Sequence, residues 1–203
     1  MASRQHACTN NPYFRKKTAI ITTAIAKELG RLPGLIGWQL DNEFKCHVAE
    51  CMCETCLRLW HDWLKNRYGV IERLNEACKL MCGAKPIRRL SKSRSRGPYL
   101  FLHHASLSTM YQLFSMEMIA SFADEQAKII RCYSDAPITH NGSVMFSVDN
   151  ERMFQNLDFA SYDTYASQEN ASAFLLNCDL WRNLKQGLPV LDFGNESVVC
   201  RLA

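Results

Sequence analysis

Apolar positions recur along this chain with two alternating periods. Thr18 to Leu29 (TAIITTAIAKEL) carries apolar residues at helical spacing and stops at Gly30, with Pro33 beyond, which predicts a helix. After Pro33-Gly34, the short run Leu35 to Leu40 ends in Asp41-Asn42-Glu43, the pattern of a buried parallel strand that delivers polar groups at its C-terminal end. In Leu57 to Ala77, Leu57, Trp60, Leu64, Ile71 and Leu74 share one helical face, and Gly69 is expected to break the run. Another helix is predicted over Ser106 to Cys132. Three further strands are expected at Ala136 to Asn141, Leu157 to Tyr165 and Leu188 to Phe193. Strands that alternate with helices argue for an α/β fold with a parallel sheet. No internal repeat is evident.

Composition narrows the class. At 203 residues with 47% hydrophobic residues, the chain suits one globular domain. The best apolar run, Ala19 to Ala26, is far shorter than the roughly 18 residues a membrane span needs. The opening residues hold no apolar core followed by a small-residue cleavage site, so the default expectation is a reducing, cytoplasmic setting. Its 10 cysteines are then expected as metal ligands, catalytic groups or buried thiols. The charge of +4 and the pI near 8.5 invite a nucleic-acid reading. Yet Cys78 to Gly97 alone carries Lys79, Lys85, Arg88, Arg89, Lys92, Arg94 and Arg96 with no acid. Setting those seven aside leaves 17 Lys and Arg against 20 Asp and Glu, a net of −3. The stretch lacks interleaved aromatics, so nucleic-acid binding is a weak rival and none is expected.

Two constellations carry chemistry. In Trp38-Gln39-Leu40-Asp41-Asn42-Glu43, a carboxyl group at a strand's C-terminal end can donate a proton while the neighbouring amide holds a hydroxyl. In Cys51-x-Cys53-x-x-Cys56, three thiols within six residues are close enough to surround one ion, with a fourth ligand from elsewhere completing a tetrahedral zinc site. Cys46 and His47 are nearby competitors, and unligated loop thiols are the plain alternative. A zinc-stabilised binding module is the rival function this cluster suggests. His103-His104 reads as structural, and Trp60 and Trp63 read as helix packing rather than sugar platforms.

The setting of these motifs is more specific than the motifs. LPGLIGWQLDNEF, then CHVAECMCETC, then WLKNRYGVIERLNEA resembles the glycoside hydrolase family 42 β-galactosidases, as do SRQHACTNNPYFRKK, HHASLSTMYQLFSMEMIASFADEQAKIIR and LDFASYDTY. The resemblance implies a partial (β/α)8 barrel, from the end of the third strand to the seventh, forming a single incomplete catalytic domain over residues 1–203. A whole barrel takes about 250 residues. It further implies a retaining β-galactosidase in which Glu43 is the general acid/base, Arg4 and Asn42 bind galactose hydroxyls, and Asn141, Asp163 and Tyr165 line the pocket. Structural zinc held by Cys8, Cys51, Cys53 and Cys56 is also implied, as is homo-oligomeric assembly of intact members.

One part of the pattern is absent. Retention needs a second carboxylate about 5–5.5 Å from the first. In the family it lies in a sequence like Pro-Phe-Trp-hydrophobic-x-Glu, whereas this chain reads Pro189-Val190-Leu191-Asp192-Phe193-Gly194-Asn195-Glu196. Codons compatible with Pro189 to Ser197, read one base later, spell Pro-Phe-Trp-Ile-Ser-Glu-Thr-Ser. Those for Met81 to Arg88, read two bases later, spell Val-Trp-Ser-Gln-Thr-Tyr-Gln, which resembles the family's Trp-rich segment. Residues 78–100 and 190–203 are therefore expected to be frame-shifted translation. Glu196 is out of step with the shifted Glu, the nucleophile has no assigned residue, and the chain is expected to be inactive.

Overall fold

The computed structural model describes residues 7–46, 50–78, 105–164, 171–185 and 190–192. They divide into two compact units, Met1–Val48 with Ile119–Ala203, and Ala49–Met118.

The first unit opens with α1, Pro12–Leu29. Helix α1 starts six residues before the predicted Thr18, because Asn11 caps it. The Asn11 side chain accepts from the backbone N–H of Tyr13 at 2.9 Å and Phe14 at 3.2 Å, and Pro12 fills the first helical position without wasting a donor. Apolar periodicity hides this turn, since Arg15, Lys16 and Lys17 are charged. At the other end, Gly30 donates to Ala26 at 2.9 Å. A Cβ there would sit 2.6 Å from the Tyr133 carbonyl oxygen, so only glycine permits this approach.

The strands are β1 (Trp38–Gln39), β2 (Ile138–Thr139), β3 (Asn141–Gly142), β4 (Ala160–Tyr162) and β5 (Val190–Asp192). β1 and β2 pair in parallel with Trp38 opposite Ile138 and Gln39 opposite Thr139. β3, β4 and β5 form a second parallel ladder, Asn141 facing Ser161 and Ala160 facing Val190. Only His140 separates β2 from β3, so the run 138–142 pairs with β1 through its first half and with β4 through its second. Every pair is parallel and follows chain order, as the alternating pattern predicts. The strands are shorter than the predicted runs, since ladder hydrogen bonding covers only part of each apolar stretch.

Helices fill the connections between the parallel strands. Between β1 and β2 come α2 (Glu54–Tyr68), α3 (Ile71–Ala77) and α4 (Ala105–Arg131); α5 (Asn150–Phe154) precedes β4 and α6 (Ala171–Leu184) precedes β5. Sequence reading missed α5 and α6. In the first unit Leu40, Phe44, Phe122, Ile138, Tyr162 and Trp181 belong to one core. Trp181 lies parallel to Tyr162 with centroids 5.3 Å apart, and a Cβ on Gly142 would collide with its ring.

The second unit packs α2, α3 and the start of α4 around aromatic rings. Gly69, at φ 70°, ends α2 where the break was expected. Trp60 is fully buried, with ring centroids of Trp63, Tyr111 and Phe114 at 5.3, 5.2 and 5.6 Å. The Trp63 indole N–H donates to Glu117 at 2.6 Å. Both tryptophans therefore serve packing. Among the described residues, no helix is long and apolar enough to cross a membrane.

Candidate active site and cysteine cluster

β1 points the chain at the site, and its last ladder bond comes from Leu40, whose N–H donates to Thr139 at 2.8 Å. Beyond it, Asp41, Glu43 and Lys45 adopt left-handed backbone at φ 47°, 45° and 65°, a conformation that favours glycine. This tight path brings Asn42 and Glu43 to the Asn141 side chain. Cys46 N–H then closes the turn on the Glu43 carbonyl at 3.0 Å.

Asn141, on β3 and 3% exposed, organises the group. Its side-chain oxygen accepts from the Glu43 N–H at 3.0 Å and from Gln39 Nε2 at 3.1 Å. Its amide nitrogen donates to Asn42 Oδ1 at 3.0 Å and to Asp163 Oδ2 at 2.8 Å. Both ends of one buried amide are thus used, which fixes its orientation. Asn42 Nδ2 in turn donates to Glu43 Oε2 at 3.3 Å. Asp163 follows β4, and its N–H donates to Gly142 at 3.0 Å. Glu43, Asn42, Asn141 and Asp163 therefore meet just past β1, at the junction of β2 with β3 and just past β4, with a carboxylate beside an amide pair. Such a group can bind hydroxyls and transfer a proton. Arg4, Tyr165 and Glu196 lie outside the described residues, as do His47, His103, His104 and most of both segments expected to be frame-shifted.

His140 escaped the sequence reading. It is 1% exposed and its ring lies on Phe44 at 4.3 Å and 23°. Burial pulls its pKa down to about 4, against a smaller upward pull from the Leu40 carbonyl. A polar residue inside the apolar run of APITHN was the available signal, but period-two alternation alone does not tell a buried histidine from a strand-end one.

In the second unit, the thiols of Cys51, Cys53 and Cys56 lie within 4.8 Å of one another. Cys53 caps α2 with extended backbone, φ −65° and ψ 167°, and Cys56 sits one turn into the helix. The Cys51 carbonyl accepts from the Tyr111 hydroxyl at 2.5 Å, which ties the loop to the aromatic core. Three converging sulfurs at a helix N-terminus, where thiolates are stabilised, suit a soft tetrahedral ion, so this cluster could hold a metal. Cys8 belongs to the first unit, half-buried, its carbonyl accepting from Asn11 N–H at 2.9 Å.

Comparison with known proteins identifies this arrangement. The family model for glycoside hydrolase family 42, described as β-galactosidase, matches residues 1–200. The chain is 87% identical over 187 residues to β-galactosidase YesZ of Bacillus subtilis strain 168 and 65% identical to β-galactosidase YesZ of Bacillus licheniformis. In each case 92% of this chain is covered. It spans about 28% of the length of either relative. Among solved structures, the cold-adapted β-galactosidase from Rahnella sp. R3 superposes with a TM-score of 0.87 at 28% identity, covering 95% of this chain and 30% of the other. The strands and helices described above are accordingly part of an α/β barrel, and the chain belongs to glycoside hydrolase family 42, the β-galactosidase family.

Proposed function

We propose that this chain carries the acid/base half of a retaining β-galactosidase site. Glu43 protonates the glycosidic oxygen as the bond to the aglycone breaks, and later takes a proton from the attacking water. Asn42 binds a galactose hydroxyl, with Arg4 sharing that task, while Asp163 and Tyr165 line the subsite and Asn141 holds the Asn42 amide in register. The observation that carries the reading is the joint attachment of Glu43 N–H and the Asn42 side chain to the one buried amide of Asn141.

The second carboxylate is absent from Pro189 to Glu196 as the family pattern would have it, so the glycosyl-enzyme intermediate has no group to form on. The chain is therefore a galactoside-binding, non-hydrolysing polypeptide. Frame-shifted translation of residues 78–100 and 190–203 accounts for that loss. Cys8, Cys51, Cys53 and Cys56 hold a structural zinc ion, since four protein thiolates leave no position for a reactive water. A reducing cytoplasm keeps those thiols available.

Galactose titration of the labelled chain tests the site: saturable chemical-shift changes at Asn42, Glu43 and Asn141 are expected, and their absence would overturn the reading. Hydrolysis of a chromogenic β-galactoside is expected at background. Turnover that disappears in Glu43→Gln would refute the claim of inactivity. Sequencing the locus tests the frame shift, because codons that cannot spell the shifted motifs exclude it.

A further inference from the structure

Residues 41–43 follow the end of β1 and pass through two left-handed residues, and the backbone groups that bracket this short segment belong to Leu40 and Phe44. His140 touches it at both boundaries. Its Nδ1 lies 2.6 Å from the carbonyl oxygen of Leu40, the residue just before the segment. Its Nε2 lies 3.3 Å from the backbone nitrogen of Phe44, the residue just after it. A carbonyl only accepts and an amide N–H only donates, so the two contacts together assign the ring's protons. Nδ1 carries hydrogen and gives it to Leu40, and Nε2 is bare and receives the Phe44 N–H. A doubly protonated ring would set Nε2–H against another donor.

We propose that His140 is a positioning residue for the acid/base group: a neutral imidazole that clamps Leu40 and Phe44 and thereby sets the path of Asn42 and Glu43 between them. The ring is placed for this by its own backbone. Position 140 lies where the run 138–142 changes partner from β1 to β4, and its carbonyl accepts from Ser161 Oγ at 2.8 Å. Phe44 closes the arrangement by stacking on the ring and meeting Phe122 edge-on at 5.9 Å and 69°. The consecutive residues His140 and Asn141 therefore divide the work. Asn141 holds the Glu43 N–H within the segment, and His140 holds the residues that flank it. The depressed pKa of His140, about 4, agrees with a ring that stays neutral in the folded chain.

The consequence for galactoside binding rests on the reading of Asn42 and Glu43 given above, while the clamp does not. The experiment therefore reads both on the full chain. In uniformly 15N-labelled protein at neutral pH, His140 is expected to show the neutral tautomer protonated at Nδ1, together with a coupling across the hydrogen bond between Nε2 and the Phe44 amide nitrogen. A ring protonated at Nε2, or charged, would overturn the clamp. Next, His140→Phe keeps the stack and removes both bonds, whereas His140→Asn can restore the donor to Leu40. Relative to neighbouring core amides, Phe44 N–H exchange is expected to quicken roughly tenfold in His140→Phe. Galactose binding is expected to weaken by a similar factor, with partial recovery in His140→Asn. Unchanged Phe44 exchange and unchanged galactose binding in a folded His140→Phe chain would overturn the positioning role. If the unsubstituted chain fails to bind galactose while the Nδ1 tautomer and the coupling are present, the subsite reading falls and the clamp stands. Should His140→Phe fail to fold, the tautomer and the coupling in the unsubstituted chain decide the matter.

Discussion

The two units order their polar groups by different means. In the first, the candidate site is a by-product of sheet register: pairing Gln39 with Thr139 and Asn141 with Ser161 brings Asn42, Glu43, Asn141 and Asp163 to one edge, where hydrogen bonds among them finish the job. In the second, three thiols converge beside a packed aromatic cluster, a donor set that suits a soft tetrahedral ion. A register-built site is complete once the backbone folds. A thiol cluster of this kind gains its full stability only with a bound ion, so the second unit is the one expected to respond to metal.

The proposed zinc site should break that contrast most sharply. Zinc bound by thiolates contributes on the order of 10 kcal/mol of binding free energy. The Cys53→Ser, Cys56→Ser double variant should lose its equivalent of zinc in elemental analysis and melt the second unit first, with chelator having the same effect on the unsubstituted chain. Zinc content that survives the double substitution would remove the cluster from the account. Next in size, Trp60→Ala should cost about 3–5 kcal/mol, because a fully buried indole leaves a cavity among three rings. Urea unfolding measures it, and the amide spectrum of residues 38–43 should keep its pattern.

Acid should strike the other unit. His140 is buried neutral with a pKa lowered to about 4, against an ordinary value of 6.5. Above pH 6.5 both folded and unfolded chains leave it uncharged, so it costs nothing. Between pH 6.5 and 4 the unfolded chain takes up the proton and the folded chain does not. Stability is thus lost as pH falls through that window, by about 3 kcal/mol in all. Denaturation curves at pH 7, 5.5 and 4.5 check this, and His140→Phe should flatten the slope. The smallest effect sharpens the comparison from inside the site: Asn141→Ala strips partners from Glu43 N–H, Asn42 and Asp163. It should cost about 1–3 kcal/mol and weaken galactose binding measured by calorimetry.

Legibility in the sequence followed the same division. The first strand end was readable because a buried parallel strand announces itself by apolar residues and stops at polar ones, so Asp41-Asn42-Glu43 fell where the pattern placed them, whereas Asp163, inside the expected strand Leu157 to Tyr165, lies just past the shorter β4. Cys51, Cys53 and Cys56 were readable from spacing alone. Helix α6 was missed between two strand candidates. The start of α1 was hidden because an Asn-Pro cap ahead of three cations has no apolar period. His140 was hidden for a different reason. What it does depends on two backbone atoms a hundred or so residues earlier in the chain, Leu40 O and Phe44 N, and no local pattern encodes a partner that distant.

The left-handed backbone at Asp41, Glu43 and Lys45 has an implication for how this segment could change. Each of the three would be relaxed by glycine, with roughly 1–2 kcal/mol of steric cost removed per position. A variant library screened for thermal resistance alone should therefore drift toward glycine at 41 and 45, which leaves the acid/base carboxyl in place. At 43 the same drift would erase it. On the proposed reading of Glu43, the local optimum for stability and the need for a carboxyl at that point oppose each other, so the segment keeps a reserve of stability that selection for the proposed sugar binding would forgo.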